Sequence, residues 1–99
     1  MQQKGECILP NLLVFNGYKL YFWANENDEP IHVHVAVGRP TQSSTKFWLT
    51  QDRGCFVASN ESRIPKKTLN ELNNLIEANY DYICQRWSDF FGEEPRFYC

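Results

Sequence analysis

Two histidines, His32 and His34, stand one residue apart in the stretch "DEPIHVHVAV", and the chain contains no others. Imidazole at neutral pH is a metal ligand, a general base or a pH-sensitive contact. In an extended strand, residues i and i+2 lie ~7 Å apart on one face, close enough for two rings to converge on one divalent ion such as zinc. A metal centre needs at least one further ligand, for which Asp28, Glu29, Asp52 and Cys55 are the available types. A partner-binding face is the second reading of the pair. Polar residues on a sheet face covered by a loop or by the chain's own tail are the third. No GxSxG motif, Cys–His pairing or Gly-rich phosphate loop accompanies the histidines, so nucleophilic and nucleotide chemistry find little support.

The elements that must position this pair follow from local pattern. "IHVHVAV" alternates strictly, so Ile31, Val33, Val35 and Val37 face one way and His32, His34 and Ala36 the other. Upstream, "LLVFNGYKLYFW" centres on Asn16-Gly17, the dipeptide that accepts positive φ at both central positions of a type I′ turn. A hairpin of about residues 11–15 and 18–24 is expected. Downstream, "TKFWLT" and "CFVAS" read as further strands separated by the turn "QDRG". From Pro65 the period changes. Leu69, Leu72, Ile76, Tyr80, Ile83, Trp87 and Phe90 recur at spacings of three and four, with Pro65 suited to a helix start and Gly92 to its end. Thr68 to Glu71 offers an alternative start as a capping box.

The expected architecture is therefore α+β: an antiparallel β-meander of three to five strands with a long C-terminal helix packed on one face. A straight helix from Pro65 to Phe91 would extend about 40 Å, against an expected radius of gyration of about 13 Å, so it must bend, break near Asn79, or project towards a partner. A projecting end bearing Tyr82, Trp87, Phe90 and Phe91 implies a homodimer through the C-terminal helix. If the aliphatic set of each strand faces the helix, the opposite face gathers His32, His34, Lys19, Lys46, Tyr21, Trp23 and Trp48. Such an amphipathic, hydrogen-bonding surface is suited to contact.

With 99 residues the chain makes one domain, its core expected over about residues 9–92 between short tails. Apolar residues at 42% and aromatics at 15% fit a packed globular protein. The formal charge of −2 disfavours a general nucleic-acid surface, although Arg63, Lys66 and Lys67 form one basic cluster. Cys7, Cys55, Cys84 and Cys99 show no CxxC spacing, the N-terminus lacks the apolar core of a signal peptide, and no run approaches a membrane span. A cytoplasmic protein with reduced thiols is expected.

"YFWANENDEPIHVHV", "KFWL", "LNNLIEANYDYICQRW" and "FFG" together resemble the bacterial and phage family called domain of unknown function 4160. Its members look like an "SNE…EPPHIHV" segment, a "KFWL" strand and a C-terminal helix ending in Trp and paired aromatics. The resemblance covers about residues 9 to 92 and carries the family pattern onto Asn25, Glu26, Glu29, Pro30, His32, His34, Lys46, Trp48 and Trp87. Ile31 stands where the family has a second proline, which should free a backbone N–H for a sheet ladder. Ala24 stands where serine is usual. The resemblance implies no established activity. It suggests a small regulatory or toxin–antitoxin-type module that binds a partner or ligand through Glu29, His32, His34, Lys46 and Trp48. The alternative is a metal-dependent hydrolase or nuclease with His32 and His34 as ligands and Glu29 as third ligand or base. RNA contact through sheet aromatics is a third reading, which the acidic balance disfavours.

Overall fold

The computed structural model describes residues 12–23, 28–39 and 44–98. Five strands form one antiparallel sheet in the order β1-β2-β3-β4-β5, an uninterrupted meander: β1 (Leu13–Phe15), β2 (Tyr18–Tyr21), β3 (His32–Val37), β4 (Thr45–Leu49) and β5 (Cys55–Asn60). The first hairpin closes through Asn16 and Gly17, whose φ values of 49° and 85° are the paired left-handed conformations that a type I′ turn demands. The β4–β5 connection turns through Arg53 at φ 72°, with Thr50 N donating to Gly54 O at 2.9 Å. In β5, Ser59 pairs with Lys46 and Val57 with Phe47, which leaves Ala58 as the extra residue of a bulge.

The expected single long helix is replaced by two. α1 (Lys66–Ala78) and α2 (Tyr80–Phe91) meet at Asn79, where φ −114° and ψ 22° leave the helical region. Asn79 serves both ends of the break. Its side-chain Nδ2 donates to Leu75 O at 2.9 Å, its backbone N donates to Leu75 O and Ile76 O, and its own carbonyl accepts from Ile83 N at 2.9 Å. A short polar side chain that hydrogen-bonds the preceding turn competes with continued helix, as asparagine does at helix ends. The molecule measures 40 × 30 × 19 Å. At the far end Gly92 adopts φ 75° and closes α2 with a left-handed cap.

One face of the sheet and the inner stripe of the helices make the core. Leu20, Phe22, Ile31, Val33, Val35, Phe47 and Leu49 pack against Leu72, Ile76, Tyr80, Ile83 and Trp87. This is the aliphatic set that alternation assigns inwards, with one exception. Val37 is exposed, because it ends β3 where Gly38 turns the chain away at φ 70°. Tyr80 ties α2 to the β4–β5 turn by donating its hydroxyl to Thr50 O. Arg53 reaches across the same turn to grip Asp81, donating from Nη1 and Nη2 at 2.6 and 3.0 Å. Cys55 and Cys84 are free thiols; Cys7 and Cys99 lie outside the described residues. No helix among the described residues is long and apolar enough to cross a membrane.

Candidate functional site

The strand register assembles the site. Tyr21 pairs with His34, His34 with Lys46 and Lys46 with Ser59, while His32 pairs with Trp48 and Trp48 with Phe56. Residues directly opposite across an antiparallel ladder point to the same face. Tyr21, His32, His34, Lys46 and Trp48 therefore share the face away from Val33, Val35 and Phe47, as alternation requires. Trp23 joins them, its ring 6.0 Å from that of His34 and 5.4 Å from that of Tyr21.

Burial separates this face into two layers. His32 and His34 are 1% and 7% exposed, whereas the Lys46 and Glu29 side chains above them are 21% and 37% exposed. The His32 Nδ1–H donates to Pro30 O at 2.8 Å, and because a carbonyl can only accept, this bond fixes the proton on Nδ1. In the neutral ring the lone pair then lies on Nε2. His34 Nδ1 meets Ser44 Oγ at 3.0 Å, and the two imidazoles stand edge to face with centroids 5.0 Å apart. His34 also stacks on Tyr21 at 5.5 Å. The His32 ring also meets Trp48 at 5.5 Å and Trp87 of α2 at 5.6 Å, both edge to face.

The outer layer is a charge pair over an aromatic. Lys46 Nζ donates to Glu29 Oε1 at 2.9 Å and lies 4.2 Å from the centroid of the Trp48 ring. The same Glu29 oxygen is 3.8 Å from His32 Nδ1, so one carboxylate borders both the lysine and the inner histidine. Tyr98 stacks on Trp48 at 5.1 Å with the planes 15° apart, and Phe56 meets Tyr98 edge-on at 5.7 Å.

The family model described as Domain of unknown function (DUF4160) matches residues 17–88. The chain belongs to the DUF4160 family. No curated protein and no solved structure matches it. The matched span runs from the β1–β2 turn into α2 and contains Glu29, His32, His34, Lys46, Trp48 and Trp87. In this DUF4160 chain Trp87 is the residue of α2 that meets His32.

The C-terminal tail lies outside the DUF4160 match, and it covers part of the site. Ile31 N donates to Arg96 O at 2.7 Å. The backbone N–H freed by isoleucine at this position is thus bonded by the tail rather than by a sheet ladder, and a proline here would have no proton to give. Phe97 stacks on Tyr80 and Tyr98 on Trp48, so adjacent tail residues anchor to α2 and to β4. Covering by the chain's own tail, one of the three readings of the histidine face, holds at Trp48.

The other suggested ligands are engaged elsewhere. Asp52 accepts from the Thr50 hydroxyl in the β4–β5 turn. Cys55 pairs in register with core-facing Leu49 and donates its thiol to Asn73 Oδ1 at 3.0 Å. Burial, and then the nearby Glu77 carboxylate, push that thiol up to about 12, which makes it a poor thiolate ligand or nucleophile. Asp28 is exposed at the start of the β3 approach. Among the described residues no group of three or more His, Cys, Asp or Glu is gathered as a metal site would need. Asn25, Glu26 and the substitution at Ala24 lie outside the described residues. Ser44, the Pro30 carbonyl and Tyr98 escape sequence reasoning. Ser44 sits among loop-forming residues, a carbonyl carries no sequence signal, and Tyr98 is far along the chain from β4.

Proposed function

We propose that this DUF4160 protein is a small interaction or regulatory protein, of the toxin–antitoxin type, that binds a partner or ligand through Lys46, Glu29 and Trp48 with His32 and His34 beneath them. The supporting observation is the Lys46–Glu29 pair held over the Trp48 ring above two oriented imidazoles. Charged and aromatic groups fixed before binding lose little conformational freedom on contact, which favours recognition. The reading sets the protein in the cytoplasm, where thiols such as Cys55 and Cys84 stay reduced. The homodimer belongs to the same proposal, its surface the exposed Tyr82 and Phe90 of α2. Phe90→Ser should lower the mass of that dimer in sedimentation; an unchanged mass removes the surface. Purification of the tagged chain from its native cell tests the main reading. A stoichiometric partner is expected, reduced by Trp48→Ala and by Lys46→Glu, and recovery of the chain by itself overturns it.

A metal-dependent hydrolase or nuclease is the second reading, and one observation favours it. A His whose Nδ1–H is held by a backbone carbonyl presents Nε2 as a donor atom, the usual outer-shell arrangement of a metal-ligating histidine. Glu29 would have to leave Lys46 to complete such a site. Zinc titration of the wild type beside the His32→Ala/His34→Ala double variant decides this reading. Equal zinc affinity in the two proteins eliminates it.

A further inference from the structure

The two edges of the sheet are built differently. β1 offers three residues, whereas β5 runs for six, Cys55–Asn60, with no charge and no proline. Edge strands are commonly protected by shortness, by lysine or by proline, because their unpaired N–H and C=O groups template another strand. On β5 the bulge at Ala58 is the one such device, and Phe56 and Val57 are 39% and 36% exposed.

Beside this edge a groove of about 560 Å³ runs between β5 and α1. Val57, Ile64 and Leu69 give it an apolar floor, Asn60 and Asn70 contribute amides, and its one charged lining residue is Lys66. The groove has a direction. Asn73 meets Cys55 at one end, and Ile64 N donates to Asn60 Oδ1 at 2.9 Å at the other, so Lys66 sits at the Asn60 end. Exposed Arg63 and Lys67 flank the same end, and none of the three cations has an ion pair among the described residues. α1 adds its own positive end there, with no acidic residue in its first turn and no side-chain cap. Glu61 and Glu71 are the acidic residues adjoining this stretch in sequence, and neither lines the groove.

We propose that this groove receives an extended acidic segment of a partner protein, added to β5 as a sixth strand. Main-chain hydrogen bonds to the free edge would supply affinity, and alternate side chains would enter the apolar floor. Carboxylates in the part of the segment beside Asn60 would meet Lys66, Lys67 and Arg63. A second copy of this chain is a poorer occupant, because neither of its edge strands, "LVF" and "CFVASN", carries an acidic residue to offer those cations. This surface borders the histidine face at Phe56, which lines the groove and also meets Tyr98, but its test does not depend on that reading.

Selection of a displayed library of random linear peptides on the purified full chain provides the probe. Enriched peptides should be proline-free over their centre, rich in β-branched residues, and acidic towards one end. A synthetic copy of the enriched sequence should protect the amides of residues 55–60 from hydrogen exchange. It should bind about tenfold or more weakly to Lys66→Glu/Lys67→Glu, and N-methylation of alternate peptide residues should abolish binding. The two charge reversals lie on an exposed helix start where acidic residues are favoured, so the fold stands. Failure to enrich any peptide, equal affinity for the charge-reversed protein, or amide protection confined to other strands would overturn the proposal. So would protection of residues 55–60 by a second copy without peptide.

Discussion

His32 is the residue on which the site turns. Its Nδ1–H is committed to Pro30 O, its ring meets both Trp48 and Trp87 edge to face, and Glu29 and His34 stand beside it. His32→Ala removes a buried ring that contacts all of these groups and leaves the half-buried Pro30 carbonyl without its donor, so a loss of roughly 1–3 kcal/mol is expected in denaturant unfolding. The adjacency of the two histidines on one face was legible from alternation alone. Their burial was not, because alternation assigns a face and says nothing of what lies over it. The described thiols make a second expectation at this scale. Burial raises Cys55 to about 12 and Cys84 to about 11, so few thiolates exist at pH 8. In a Cys7→Ser/Cys99→Ser background both should react with a thiol reagent far more slowly in the folded than in the unfolded protein.

Among the elements, the hairpin and the helix ends follow from short-range chemistry and were readable from Asn16-Gly17, Pro65 and Gly92. Gly92 has open space where a Cβ would lie, so Gly92→Ala tests conformation without a clash. The expected cost is about 1–2 kcal/mol for placing alanine in the left-handed region, measured by thermal unfolding. The division of the helix at Asn79 was legible only as one of three outcomes. The apolar stripe from Leu69 to Trp87 keeps its period through the break, and the decision lies in hydrogen bonds that a stripe does not encode. The tail is likewise set by a contact between residues distant in sequence. Ile31→Pro deletes the donor to Arg96 O, so trypsin should cleave after Arg96 faster than in the wild type. An unchanged rate would show that the stacking of Phe97 and Tyr98 holds the tail unaided.

For the whole molecule, stability rests on one core shared by the sheet and both helices, and Leu72→Ala should cost about 2–5 kcal/mol. The core also fixes an alkaline limit. Tyr80, Cys55 and Cys84 keep their protons in the folded chain to about 12, 12 and 11, chiefly through burial. Above about pH 9 the unfolded chain gives up protons that the folded chain retains, so the unfolded state gains ground. The contribution of these three groups should be level below about pH 8, fall as the pH rises, and be lost by about pH 12. The α+β class and the inward set of the meander came directly from periodicity, since burial on one face is what periodicity records. The length argument for a projecting dimer loses its premise at Asn79, leaving exposed Phe90 and Tyr82 as the surface to examine. The central claim is that Lys46, Glu29 and Trp48 form a binding face over His32 and His34. Its most direct test compares tagged wild type, Lys46→Glu and Trp48→Ala purified from the native cell, with folding verified by circular dichroism. A single stoichiometric partner on the wild type, depleted from both folded variants, is the result expected. Equal recovery of that partner by all three proteins, or none by the wild type, would contradict it.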